Sequence, residues 1–229
     1  MVRKLIRCLP VWIPLKRKFG SDCNMLQQRA RLVTHAGRRP WLARMSTMAT
    51  GSSGAPVCVL AILEQHKTFL RSLDDSVYTF HSPLVEGSVG QHTRHSLDHL
   101  RKPLALLEAQ QHGSDENMVR YDIRDRHTPV EKDRLMAIAQ IEQLEKTLRA
   151  LPSGELARPV HAAFMLSADG REFDFESTFS RELAFAVHHC IHHNALSKVL
   201  LRHHFPELNV PEGFGMAPST ANFNLTHDN

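Results

Sequence analysis

The sequence has no apolar run approaching the roughly 20 residues that a membrane-crossing helix needs. The stretch Cys8–Leu15 is far too short and holds two prolines. Cysteine is scarce. Cys8, Cys23, Cys58 and Cys190 match neither a disulfide framework nor a zinc-finger spacing, so reduced thiols in an intracellular compartment are the simpler account. Acidic residues are nearly missing from residues 1–54, where Asp22 stands alone against eleven Lys and Arg, a net charge of +10. The remainder carries 17 basic and 23 acidic residues, a net charge of −6. The pI near 9.0 therefore belongs to the leader and not to the body. A basic pI ordinarily favours nucleic acid as a partner; an acidic body excludes that reading here. With 42% hydrophobic and 23% charged residues, the 229-residue chain is neither collagen-like, wholly disordered nor coiled-coil.

The Arg-rich, acid-poor leader has the composition of a mitochondrial transit peptide. Equally, Met45 or Met48 would serve as the true start, ahead of a Ser-, Thr- and Gly-rich stretch. Either way, residues 1–54 are expected to be disordered and the folded domain to span 55–229. The location is then mitochondrial if the leader is a transit peptide and cytoplasmic otherwise.

From Ala55 the pattern turns helical. Val59, Leu60, Ile62, Leu63, Phe69, Leu70 and Leu73 recur at three- and four-residue spacing and predict a first helix over about 56–76. Ser88 and Gln91 form a capping-box pattern that opens a second helix, running to Leu106 or beyond despite Pro103. Residues 119–126 read as extended or irregular. Thr128, Pro129 and Glu131 suit the N-cap, N1 and N3 positions of a third helix, which ends near Pro152. Residues 160–175, with Asp169-Gly170 between alternating segments, predict a β-hairpin. A fourth helix follows from Ser177 or Thr178 to about His203, and the proline-containing tail from Phe205 reads as loop. The sum is an all-α, antiparallel up-down-up-down four-helix bundle with a small hairpin before its last core helix.

Sixteen histidines are many for this length, and nine of them fall in two windows. His92, His95 and His99 lie in the second helix; His188, His189, His192, His193, His203 and His204 lie in or just after the fourth. His189 and His193 are four residues apart, so both imidazoles share one helical face and converge on one ion. His95, near the start of a facing helix, is the best third ligand. Three neutral nitrogens leave coordination positions open, as catalytic sites do. The spacing alone does not settle the register, because His188 and His192 are also four apart, and His92 and His99 flank His95. Histidine-only ligation suits a divalent transition metal such as zinc, nickel, iron or copper. Cys190 is read as ordinary packing.

The segments Ser88–His99 and Arg181–His193 resemble the second and last core helices of DinB/YfiT-like proteins. Arg120–Arg126 and Phe214–Thr220 resemble the inter-helix loop and tail of one uncharacterised branch of that family. The resemblance covers most of residues 56–223. It implies a four-helix bundle holding zinc, nickel or iron through His95, His189 and His193, with His92, His99, His188 and His192 as supporting or alternative ligands. It also implies an activity among thiol transferases or metal-dependent hydrolases, with a small thiol or electrophile as substrate.

On this reading Asp98, three residues after His95, orients a ligand or acts as a base. Arg120, Tyr121 and Arg124 are the candidate substrate contacts, the arginines grasping a carboxylate through forked hydrogen bonds. Arg126 reads as an exposed, self-paired charge, and Glu182 as a first-turn charge favoured by the helix dipole. The tail at 217–220 is a candidate lid or brace. The alternative function is a non-catalytic metal-binding or stress-related protein acting as a homodimer.

Overall fold

The computed structural model describes residues 54–227. Apart from Gly54, the expectations for the leader, transit peptide and alternative start included, lie outside these residues. Among the described residues are six α-helices and three strands: α1 (Gly54–Arg71), α2 (Asp75–Thr79), α3 (Val89–Gln111), β1 (Met118–Arg120), α4 (Arg134–Arg149), β2 (Pro159–Met165), β3 (Glu172–Thr178), α5 (Phe179–His204) and α6 (Pro218–His227). None of these helices is long and apolar enough to cross a membrane.

The four longer helices α1, α3, α4 and α5 meet in a closed ring of contacts, α1 on α5, α5 on α3, α3 on α4 and α4 on α1. Val59, Ile62, Leu63, Leu97, Leu100, Leu104, Ile141, Leu183 and Leu200 are buried between them. Their three- and four-residue spacings are the reason each helix turns one stripe inward.

The first helix stops earlier than its periodicity predicts. Ser72 and Leu73 donate to the carbonyls of Phe69 and Leu70, tightening the last turn, and Asp74 then takes the N-cap position of the separate short helix α2, its backbone carbonyl accepting from the N–H groups of Val77 and Tyr78. The buried Tyr78 of α2 donates its hydroxyl to the Val130 carbonyl at 2.5 Å. Helix α3 opens with the expected reciprocal cap: the Gln91 N–H donates to Ser88 Oγ at 3.1 Å, and the Ser88 N–H donates to Gln91 Oε1 at 3.0 Å. It continues through Pro103 to Gln111. A proline has no N–H, so the His99 carbonyl lacks its usual helical donor.

The third core helix begins five residues after the expected Pro129. Thr128 and Pro129 open only a 3-10 turn, Pro129–Glu131, and Asp133 is the actual cap of α4, accepting from the N–H groups of Leu135 and Met136. The reason is tertiary. Glu131, the expected N3 partner, is buried beside Arg94, its Oε1 2.6 Å from the guanidinium Nε.

The hairpin forms as β2 and β3, paired antiparallel from Pro159–Thr178 to Met165–Glu172. Gly170, at φ +79°, takes the left-handed position of the connecting turn. The segment expected to be irregular supplies β1, which pairs parallel with β2 and completes a three-stranded sheet. The described residues are thus mostly helical with a small sheet.

The tail is not simply loop. Pro218 occupies the first position of α6, where its missing N–H costs nothing. Upstream, Phe214 is buried against Phe69, ring centroids 4.0 Å apart. Gly215 sits at φ +68° with its Cα so close to α5 that a Cβ would fall 2.6 Å from the Ala195 Cα.

Candidate metal centre

Helix α3 carries His92, His95 and His99 on one side, and α5 brings His189 and His193 to meet them. The Nε2 atoms of His95 and His189 are 2.9 Å apart, and those of His189 and His193 are 3.1 Å apart. The three ligand atoms lie within 4.8 Å of one another. His188 and His192 are exposed, and His192 lies at the edge of the cluster, its ring centroid 5.2 Å from that of His193. The inner side of α5 is fixed by Leu183, Ala186, Val187 and Cys190, all buried.

The histidine set is electron-rich and starved of protons. Burial first, and then neighbouring charge, pushes His95 and His193 down to about 2 and His189 to about 4. The rings are therefore neutral near pH 7 and each carries one lone pair. His189 Nε2 faces two nitrogens but has only one proton or one lone pair to offer, so two well-aligned hydrogen bonds are impossible. A single cation satisfies all three nitrogens at once, and imidazole donors suit zinc, iron or nickel. The donor set fits such an ion.

The remaining histidines support this set. His99 donates from Nδ1 to the His95 carbonyl at 3.1 Å, a carbonyl being an acceptor only. Its ring stacks on His189 at 3.6 Å and on Tyr121 at 5.0 Å, and Tyr121 stacks in turn on Phe164. His92 Nδ1 lies 3.0 Å from His193 Nδ1.

The loop residues divide. Arg124 reaches His95, Nη1 to Nδ1, at 2.8 Å. Arg120 is exposed and paired with Glu172. Tyr121 is buried and donates its hydroxyl to Glu182 Oε2 at 2.8 Å; burial and the Glu182 charge hold the phenol well above its ordinary pKa. Glu182 is more than a first-turn charge. Fully buried, it also accepts from Ser177 and from Arg181 at 2.7 Å.

Asp98 is buried 2.6 Å from Arg94 Nη1, and burial raises its carboxyl above the usual range despite the opposing pull of Arg94. Arg94 links Asp98 to Glu131 across α3. Cys190 is buried, and burial pushes its thiol up to about 12, so it is an inert packing residue.

A cleft of about 250 Å³ opens over the cluster, reaching His92, His95 and His193 at one side and Arg94, Arg126 and Glu131 at the other. Sequence reasoning passed over Arg94 and took Glu131 for a helix-capping position, because their pairing is long-range. It set aside Arg126, which lies on the rim. The opposite charges of Arg94 and Asp98, four residues apart on one helical face, were the available signal.

No solved structure matches the chain. A segment of 104 residues is 38% identical to "FK506-binding protein 5" of Rhizopus delemar, covering 45% of this chain and 26% of that protein. The chain thus spans about a quarter of that relative's length. The model of the DinB superfamily matches residues 63–197, a span that contains His95, His189 and His193. Because that match takes in 135 of the 229 residues, the chain belongs to the DinB superfamily.

Proposed function

We propose that this protein is a metal-dependent enzyme that transfers a small thiol, or hydrolyses a small electrophile, at His95, His189 and His193. The observation that carries the reading is the convergence of three neutral imidazole nitrogens beside a solvent-open cleft. When bound there, a divalent ion supplies a lowered pKa for a thiol or water at neutral pH. The ring of contacts among α1, α3, α4 and α5 supports the further reading of an antiparallel four-helix bundle.

The chain's own residues do the rest. The stack of His99 on His189 holds that ring's plane. Tyr121 ties the stack to Glu182, seven residues before His189 on the same helix. Arg124 lies closest to the three nitrogens among the arginines of its loop and is the candidate partner for a substrate carboxylate. Arg120 is the outer member of the same pair. Asp98, engaged by Arg94, acts as a positioning residue for that arginine rather than as a base. Its test is rescue: Asp98→Asn keeps the contact geometry and should retain more activity than Asp98→Ala.

The alternative is a non-catalytic, dimerising metal protein, which has no need of an open cleft over its ligands. The name of the Rhizopus relative attaches to a whole protein, most of which has no counterpart here, and does not guide the reading.

The experiment is a turnover assay of the full chain loaded with zinc, nickel or iron, using glutathione as thiol and an aryl halide as electrophile, alongside ester hydrolysis. Metal-dependent turnover that disappears in His189→Ala supports the reading. Metal bound stoichiometrically, with no turnover of either class, favours the non-catalytic alternative.

A further inference from the structure

We infer that His92 is a substrate-binding residue, donating a hydrogen bond from Nε2 to an oxygen anion held in the cleft beside the histidine cluster. The inference rests on His193 being a metal ligand.

Two independent observations carry it. The first is an unpartnered atom. His92 is nine-tenths buried, and its Nε2 is buried without any hydrogen-bond partner. His92 and Gly87 both line the cleft, and Nε2 lies just beneath Gly87, where a Cβ would stand only 3.5 Å away. A buried polar atom left unpaired costs free energy, on the order of 1–3 kcal/mol, and calls for a partner. The second is the contact at the other end of the ring, Nδ1 to Nδ1 of His193 at 3.0 Å.

Tautomer logic joins the two. A neutral imidazole carries one proton, on one nitrogen or the other. A ligand histidine bound through Nε2 keeps its proton on Nδ1. His193 Nδ1–H then donates to His92 Nδ1, which must be the bare acceptor. The one proton of His92 is therefore on Nε2, pointing at the cleft. No proton is gained or lost by either ring. Occupation of His193 sets its neighbour as a donor.

The cleft indicates what the donor meets. Arg94 is already committed to Asp98 and Glu131, which leaves the exposed Arg126 on the rim as the cation facing it. Two acids also line the cleft: Glu131 is neutralised by Arg94, and Glu86 repels a carboxylate from its own side, which leaves room for one anion between His92 and Arg126. A donor at the base and a guanidinium at the rim suit a single carboxylate. Gly87 keeps the approach to Nε2 free of side-chain atoms.

The test uses the full chain with histidine ring nitrogens labelled with ¹⁵N, zinc as the metal and acetate as the probe. With zinc bound, long-range ¹H–¹⁵N spectra should show His92 protonated at Nε2, and acetate should shift that signal. His92→Phe should weaken acetate binding about tenfold or more, the size of one hydrogen bond to a charged group, measured with zinc saturating so that its stoichiometry is unchanged. Gly87→Ala makes only ordinary van der Waals contacts, so it should fold and hold zinc while blocking acetate from Nε2. Zinc bound with His92 protonated at Nδ1, or acetate affinity unaltered by both variants, would overturn the inference alone. Absence of zinc at His193 would remove the underlying metal reading and this inference together.

Discussion

His99 lies flat against His189, with ring centroids 3.6 Å apart and planes only 17° from parallel. The contact joins α3 to α5 at the place where three imidazole nitrogens converge. Because His99 is held from below by Tyr121 and bonded at its edge to the His95 carbonyl, it fixes the orientation of one cluster member while touching the backbone of another.

His99→Ala should therefore loosen the cluster without removing one of its converging nitrogens. Metal affinity is expected to fall about 10- to 100-fold, the usual cost of losing a group that orients a ligand, while stoichiometry stays the same at saturation. Competition with a chromophoric chelator measures this. Unaltered affinity would mean that the stack is incidental.

Arg124 acts in the opposite direction. An arginine only donates, so its 2.8 Å contact requires a bare Nδ1 on His95 and puts that ring's proton on Nε2. Coordination through Nε2 needs the reverse, and a nearby guanidinium also repels a cation. Arg124→Ala is expected to bind zinc several-fold more tightly and to bind carboxylate-bearing thiols less well. Titration of both ligands on the same variant checks the two signs, and weaker zinc binding would contradict the argument.

Acid sensitivity has a separate source in His66, buried between α1, α3 and the tail, with Nε2 3.0 Å from Thr93 Oγ1. Burial lowers its pKa from 6.5 to about 4, so the unfolded chain takes up the proton first. The stabilisation is fully present above pH 6.5 and is lost as pH falls through about 4; its full size is about 3 kcal/mol. Urea unfolding at pH 7, 5.5 and 4.5 should show a shallower decline in His66→Gln than in the parent. Parallel declines would place the acid sensitivity elsewhere.

Gly90 marks where α3 meets the turn that carries Glu131. A Cβ there would fall 2.1 Å from the Glu131 carbonyl oxygen and 2.9 Å from the Tyr78 ring. Gly90→Ala is expected to destabilise the fold by about 1–3 kcal/mol through overpacking, seen as a lower Tm. A gain in stability, as helix propensity alone would give, would show that the turn yields easily.

What the sequence made legible is what depends on near neighbours. The cap of Ser88 on Gln91, the hairpin about Gly170 and the four-residue step from His189 to His193 are all local patterns. What it hid depends on distant partners. Glu131 looked like a capping residue because Arg94, 37 positions earlier, is invisible to periodicity. Tyr121 and Glu182 meet across 61 positions, and the parallel pairing of β1 with β2 spans the whole of α4. That His189 and His193, rather than His188 and His192, converge with His95 depends on which side of α5 is buried, a property its broad apolar face left open. Helix α6 was obscured because the proline that starts it reads equally well as a breaker.

The most direct test is metal content, by mass spectrometry, of the purified full chain and of His95→Ala, His189→Ala and His193→Ala. The expected result is close to one transition-metal ion per chain in the parent and a large loss in each variant, with helical circular dichroism retained. A parent that stays metal-free after supplementation with zinc, nickel and iron, or variants that keep their full complement, would contradict the three-histidine centre.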